Sequence, residues 1–124
     1  MHNKLLFLLI LLLFYGCYYN SEEELFPDDE ISCDTLNMSY ADDIQPVLQT
    51  HCYSCHSNAD APRFGGNIKL EDYGDVKASA DDGSLLGSIQ HDNNYSPMPR
   101  GGGKLNDCTL GKFRSWIADG AANN

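Results

Sequence analysis

The sequence predicts a small all-α domain of four to five short helices joined by long loops. Apolar residues recur three and four positions apart in four segments, which is the spacing of residues on one face of a helix. No segment alternates apolar and polar residues over the length of a strand. Proline and glycine are frequent in two stretches between the periodic segments, 57–67 and 91–104, and they predict loops there.

The first sixteen residues have the pattern of a secretory signal. Lys4 precedes an uninterrupted apolar and aromatic run, 5–15, which is shorter than the ~20 residues that cross a bilayer as a helix. The small Gly16 before Cys17 resembles the lipobox of bacterial lipoproteins, in which the signal is removed and the cysteine is lipidated. The sequence therefore predicts a signal peptide over 1–16 and a lipid anchor on Cys17. The alternatives are ordinary cleavage or an uncleaved anchor, and each of them exports the protein.

An acidic segment, 17–33, separates this signal from the rest of the chain. It carries six acids, no base and one proline, which is too polar to bury a core and predicts a solvated tether. Its flexible residues give a reach of roughly 20 Å. Residues 34–124 remain for one small domain, which is short for a self-sufficient apolar core. The net charge of -10 argues against nucleic acid as a partner.

The first helix of the domain is predicted within the segment YADDIQPVLQT. Pro46 is tolerated only in the first turn of a helix, where its missing N–H would have no partner. Asp42 or Asp43 is therefore the predicted N-cap, and Ser39 lies too early in the chain. The apolar face of this helix carries Ile44, Val47 and Leu48.

Two short helices are predicted in the middle of the domain, one on each side of Asp82 and Gly83. The segment KLEDYGDVKASA presents an apolar face with a spacing of three, formed by Leu70, Tyr73 and Val76. The segment SLLGSIQ presents a second face, formed by Leu85, Leu86 and Ile89.

The last helix is predicted from the segment NDCTLGKFRSWIADG. Asn106 or Asp107 is the predicted N-cap, and Gly120 lies just past the C-terminal end. Gly111 inside the helix costs ~1 kcal/mol relative to alanine, which indicates close packing or a ligand at that point. The apolar face carries Leu110, Phe113 and Ile117, with Trp116 beside them.

The five cysteines of an exported chain each need an explanation, because a spare thiol is a liability in an oxidising compartment. Cys17 is assigned to the lipid, and two more cysteines lie together in the segment HCYSCHS. Cys33 and Cys108 remain, and a disulfide between them is the economical interpretation. Closing a loop of this length would stabilise the domain by about 4 kcal/mol in the chain-entropy model. The alternative is two free or intermolecular thiols.

Three chemistries compete for the segment HCYSCHS, which contains Cys52, Cys55 and His56. A closed zinc site needs a second pair of ligands at a distance, and none follows in the sequence. A redox dithiol belongs at a helix N-terminus in a fold with strands, whereas these cysteines follow a helix. Covalent haem needs two thiols at this spacing, to react with two vinyl groups, and a histidine immediately afterwards. The pattern therefore predicts a c-type haem with His56 as the proximal ligand.

Met98 is the predicted sixth ligand of the iron. Pro97 and Pro99 are expected to hold its loop extended, while the glycines that follow allow the backbone to approach the porphyrin. His91 is the rival ligand, seven residues earlier on a polar stretch. The alternative without ligation is that Met98 is a flexible filler of the core. His51 is expected to face solvent or a backbone carbonyl.

With these motifs the chain resembles the small class I c-type cytochromes, and within them the membrane-tethered monohaem domains common in Bacteroidetes. The resemblance rests on HCYSCHS and YSPMPRGGGKL, together with YADDIQPVLQT and FRSWIADGAANN, and covers nearly the whole domain. It implies thioether links at Cys52 and Cys55, and axial ligands at His56 and Met98, for one covalent haem c enclosed by the fold.

The same resemblance implies that the N-terminal helix crosses the C-terminal helix. The face that contains residues 44–48 would then contact Phe113, Trp116 or Ile117.

A haem iron with two protein ligands has no vacant position for a substrate, so this ligand set favours electron transfer and not enzymatic chemistry. Sulfur ligation and a buried porphyrin both raise the potential. The chain is therefore interpreted as a one-electron carrier, lipid-anchored in the cell envelope and facing the periplasm or the cell surface. Redox proteins or membrane respiratory complexes are the expected partners, and no small-molecule substrate is expected. The alternatives are an accessory subunit of a larger complex, or an enzyme or gas sensor with an open sixth position.

Overall fold

The part of the chain that the structure describes contains five α-helices and one π-helical turn, joined by loops. This computed structural model describes residues 33–124. The elements in chain order are a π-helical turn, Tyr40–Ile44, then α1, Gln45–His51, α2, Tyr53–His56, α3, Tyr73–Asp81, α4, Ser84–Gln90, and α5, Asp107–Ala118. Helices hold 48% of the described residues, and no strand occurs among them. The prediction of an all-α domain with four to five short helices is therefore confirmed for this part of the chain.

The predicted signal peptide over 1–16, the lipid anchor on Cys17 and the tether as far as residue 32 lie outside the described residues. Between residues 33 and 124, no helix combines the length and the apolar character needed to cross a membrane.

The first helical segment begins earlier than the sequence predicts. Ser39 is the N-cap, and its hydroxyl oxygen accepts a hydrogen bond of 3.0 Å from the Asp42 N–H. The Asp43 carboxylate in turn accepts a hydrogen bond of 3.0 Å from the Ser39 N–H, so the side chains of Ser39 and Asp43 each satisfy a backbone N–H at the start of this segment. The prediction that Asp42 or Asp43 is the N-cap is therefore wrong.

The π-helical turn explains why the helix can begin before a proline. The Gln45 N–H donates to the Tyr40 carbonyl, five residues back instead of four. Pro46 then lies in the first turn of α1, where a missing N–H leaves no helical bond unmade. The sequence argument about Pro46 holds for α1, but it does not limit the wider turn that precedes this helix.

The two middle helices occur where the sequence places them. Gly83 separates α3 from α4 with a φ of 80°, a left-handed conformation that glycine adopts without strain. The buried residues of the two helices include Val76, Ala80, Leu85 and Ile89. Leu70 is buried as well, although it precedes α3 and is not part of the helix.

The caps of α5 confirm the sequence prediction. The Asn106 side-chain oxygen accepts a hydrogen bond of 2.8 Å from the Thr109 N–H. Gly120 follows the C-terminal end with a φ of 93°. At Gly111, an added side-chain carbon would lie 3.0 Å from the Thr35 methyl group, so this glycine serves close packing of the N-terminal segment.

The N-terminal and C-terminal helical segments contact each other, as the resemblance implies. Ile44 and Leu48 are completely buried in the same core cluster as Phe113 and Trp116. An ion pair of 2.9 Å joins the Lys112 ammonium group to the Asp43 carboxylate beside this core. The Tyr40 ring lies 5.7 Å from the Trp116 ring between their centroids.

The disulfide between Cys33 and Cys108 is present, with a Cα–Cα distance of 5.5 Å. It joins the beginning of the described chain to the first turn of α5. The pairing that the cysteine count predicts is therefore seen in the structure, and a disulfide of this kind is typical of exported proteins.

Candidate functional site

Cys52, Cys55 and His56 occupy a single helical turn that follows α1. Cys52 ends α1 and begins α2, and its carbonyl accepts hydrogen bonds from the N–H groups of both Cys55 and His56. The two cysteines are three residues apart, a spacing that places residues of a helix on the same side of it. Both cysteines are free thiols, with Cys52 half-buried and Cys55 exposed.

The thiol of Cys52 lacks the lowered pKa of a redox-active cysteine. Burial raises its pKa from the usual 9.0 to about 11, so the group stays protonated at neutral pH. A reactive dithiol needs the opposite shift, because the thiolate is the nucleophile. The dithiol alternative is therefore disfavoured at this cysteine.

The imidazole of His56 is buried and fixed by one backbone hydrogen bond. Its Nδ1 atom lies 2.8 Å from the carbonyl oxygen of Ile68. A carbonyl only accepts, so Nδ1 must carry the proton, and in the neutral ring the lone pair is then on Nε2. Histidines that bind metals have this arrangement, because a second group fixes the tautomer and the ring orientation. The hydrogen bond is therefore compatible with metal binding through Nε2.

The loop after α2 brings the Ile68 carbonyl to the imidazole. Gly65 is essential to this loop, because a side-chain carbon there would collide with the Cys55 carbonyl and lie 2.9 Å from His56 Nδ1. After Ile68 the chain returns to α2, where the Leu70 N–H donates a hydrogen bond of 2.8 Å to the His56 carbonyl. Backbone groups of the loop therefore bind both the imidazole ring and the main-chain carbonyl of His56.

Large apolar side chains are exposed in this same loop. Phe64 is 66% exposed and Ile68 is 50% exposed, although each lies within a few residues of the point where the loop contacts His56. The loop that contacts His56 therefore carries two exposed apolar side chains.

Met98 lies in the second long loop, where its backbone is fixed at both ends of the residue. The Met98 N–H donates a hydrogen bond of 3.0 Å to the Ser88 carbonyl in α4. The Met98 carbonyl accepts a hydrogen bond of 3.0 Å from His91 Nε2. The rival ligand His91 is therefore occupied with the backbone of Met98 itself.

The conformation of this loop differs from the expectation that Pro97 and Pro99 hold it extended. The chain bends at Met98 and Pro99, and a turn follows in which the Gly102 N–H donates to the Pro99 carbonyl. Gly101 adopts a φ of 74° in this turn. The glycines allow this tight turn, and the bend leaves Met98 half-buried.

The other methionine of the described residues belongs to the core. Met38 is 6% exposed and lies in the hydrophobic cluster that contains Trp116. Met38 is therefore a residue that fills the core. Met98 lies outside this cluster. His51, which the sequence predicts to face solvent or a backbone carbonyl, is exposed.

The structure thus forms two groups from the predicted site residues. One contains Cys52, Cys55 and His56, and the other pairs Met98 with His91. Among residues 33–124, no set of three or more histidine, cysteine, aspartate or glutamate side chains is close enough to hold a metal ion by itself.

No protein-family model, curated protein or solved structure matches the chain. The chemistry of the site must therefore be inferred from its own residues.

Proposed function

We propose that this protein is a one-electron carrier of the cell envelope, which holds one covalent c-type haem between His56 and Met98. The observation that carries the proposal is the 2.8 Å hydrogen bond between His56 Nδ1 and the Ile68 carbonyl, because it leaves Nε2 as the metal-binding nitrogen. The two free cysteines on the same turn have the spacing that thioether attachment requires.

The residues of the site fit the proposed haem in two further respects. The half-buried Cys52 and the exposed Cys55 are three residues apart and are not paired with each other. The exposed side chains of Phe64 and Ile68 provide an apolar surface. The haem would supply reversible one-electron chemistry at its iron.

The protein's own residues would control where this chemistry takes place. The Ile68 carbonyl orients the His56 ring, and the fixed backbone of Met98 limits the positions that its thioether reaches. Two protein ligands leave no position for a substrate, which favours electron transfer over bond-making chemistry. The soft sulfur donor favours the reduced iron, so the expected potential is positive.

A location in the cell envelope is consistent with the disulfide and with the predicted lipid anchor. The disulfide between Cys33 and Cys108 fits an oxidising compartment. A lipid on Cys17 would hold the domain at a membrane, and the acidic tether would give it a reach of roughly 20 Å towards redox partners.

The test is to express the full chain together with haem-attachment machinery and to purify the exported protein. We expect the intact mass to include one haem, the haem to remain attached after denaturation, and the oxidised protein to have a weak far-red band from sulfur ligation. The His56→Ala variant should lose normal ligation, whereas His51→Ala is the matched control, because His51 is an exposed histidine five residues away.

A second variant tests the sixth ligand. Met98→Ala should abolish the far-red band and allow the reduced protein to bind carbon monoxide readily. Carbon monoxide binding by the unaltered protein would instead support the enzyme or sensor alternative. A colourless exported protein without added mass would refute the proposed function.

A further inference from the structure

The peptide groups on both sides of the Met98 α-carbon are bonded to the C-terminal end of α4. The N–H of Met98 donates to the Ser88 carbonyl, and the carbonyl of Met98 accepts from His91 Nε2, each at 3.0 Å. The first bond joins two backbone groups and is available to any amino acid. The second needs the side chain of residue 91, so it depends on the sequence.

His91 occupies a backbone position that is usually filled by a smaller residue. It is the C-cap of α4 and has a φ of 60°, in the left-handed region where helices most often end with glycine or asparagine. Histidine tolerates this region better than most residues do, but it has no advantage over glycine as a cap. The cap alone therefore does not explain why the chain has an imidazole here.

The left-handed cap reverses the chain and turns the loop back across α4. The Asp92 N–H donates a hydrogen bond of 2.9 Å to the Gly87 carbonyl. The Tyr95 ring then packs directly over Gly87, where a side-chain carbon would collide with the ring. With the two bonds of Met98, these contacts fasten both ends of the loop 91–98 to a single helix.

We propose that His91 is a positioning residue for Met98, which fixes the backbone of the ligand and is not itself a ligand of the iron. This inference rests on the proposed function. The methionine side chain is unbranched and has three rotatable bonds, so a fixed backbone reduces the range of positions that its sulfur can reach. One neutral hydrogen bond changes such an equilibrium by about fivefold.

Three substitutions at position 91 distinguish the hydrogen bond of the imidazole from the backbone conformation of the C-cap. His91→Asn keeps a residue that favours the left-handed conformation, but its shorter side chain does not reach the Met98 carbonyl. His91→Gly removes the side chain and relaxes the backbone. His91→Gln carries an amide N–H donor at about the position of Nε2 and is the rescue variant. His51→Asn is the matched control at an exposed histidine outside this loop.

The first measurement is the affinity of the oxidised haem protein for added imidazole, which competes with the Met98 sulfur for the iron. We expect the affinity to rise about fivefold in His91→Asn and His91→Gly, because each variant loses one hydrogen bond that holds Met98 in place. His91→Gln and His51→Asn should resemble the unaltered protein. Equal imidazole affinity in the unaltered protein and in His91→Asn would refute the role of His91, while the proposed carrier function would stand.

The second measurement does not require haem. Hydrogen exchange at the Met98 amide and trypsin cleavage after Arg100 both report opening of the loop, and each should be about fivefold faster in His91→Asn and in His91→Gly than in His51→Asn. Unchanged hydrogen exchange in His91→Asn and His91→Gly would refute the role of His91 in fixing the Met98 backbone. An exported protein without haem would refute the proposed function, and the role of His91 in positioning a ligand would fail with it.

Discussion

Gly65 offers the sharpest test of how the fold holds the candidate ligand. In Gly65→Ala, the new methyl group would overlap the Cys55 carbonyl and lie 2.9 Å from His56 Nδ1 and 3.0 Å from the Ala61 α-carbon. Two of these three neighbours are backbone atoms of adjacent turns, so they yield less easily than the end of a flexible side chain. Overpacking of this kind costs about 1 to 3 kcal/mol, and a collision with backbone places the expected cost near the upper limit.

A loss of this size is readily measured in a domain with fewer than 100 residues. At ~4 to 8 °C per kcal/mol, a cost of ~2 to 3 kcal/mol lowers the melting temperature by roughly 10 to 20 °C. Thermal and urea unfolding followed by circular dichroism would measure the change. The methyl group also presses on the imidazole, so the bond from Nδ1 to the Ile68 carbonyl should lengthen and the haem content of the exported protein should fall.

Gly74→Ala is the matched control for this substitution. Gly74 lies in the first turn of α3, is exposed, and has no atom within 4 Å of the position that a new methyl group would take. Alanine should stabilise α3 there by up to about 1 kcal/mol. A melting temperature of Gly65→Ala within about 3 °C of the unaltered protein would show that the loop yields, and the close approach to His56 would then have no structural importance.

Three further predictions concern the domain around the site. Replacing Cys33 and Cys108 together by serine should lower the free energy of unfolding in urea by about 4 kcal/mol, and a loss below about 1 kcal/mol would contradict the stabilising role of the disulfide. Tyr40→Phe should raise this free energy by about 1 kcal/mol, because the Tyr40 hydroxyl is buried without a hydrogen-bond partner among the described residues. Tyr73→Phe should instead lower the free energy of unfolding, because it loses a hydrogen bond of 2.8 Å to the Ala121 carbonyl. Burial raises the pKa of Tyr40 from 10.0 to about 12, so the unfolded chain loses this proton first, and the free energy of unfolding is unaffected below pH 10 and declines as the pH rises towards 12. Tyr40→Phe should reduce the decline of the free energy of unfolding between pH 10 and pH 12. An identical decline in both proteins would contradict the raised pKa of Tyr40.

Features that depend on particular side chains can be predicted from the sequence. The side-chain cap at Asn106 and the left-handed Gly120 give α5 the boundaries that the sequence indicates. Once Cys17, Cys52 and Cys55 are assigned to other roles, Cys33 and Cys108 are the two that remain, and the structure pairs them. Each of these predictions uses a residue type whose preferred role is local or has few alternatives.

The features that the sequence does not reveal depend on the backbone. The first helix begins earlier than predicted because a π-helical turn, which has no residue signature, lies between Ser39 and Pro46. The Ile68 and Ser88 carbonyls orient the candidate ligands, yet every residue has such an acceptor and no pattern distinguishes these two. Only the glycine at position 65 offers a signal, since a glycine in a loop often marks a close approach of the backbone.

The two candidate ligands are held in the same way. His56 is oriented by the carbonyl of a distant loop, and Met98 is fixed through both of its peptide groups to α4. Neither arrangement uses the ligand's own metal-binding atom, so both side chains keep that atom available. In the proposed carrier, two fixed supports of this kind would resist the movement of either ligand when the charge of the iron changes. A carrier needs such rigidity to exchange electrons without rearranging its site.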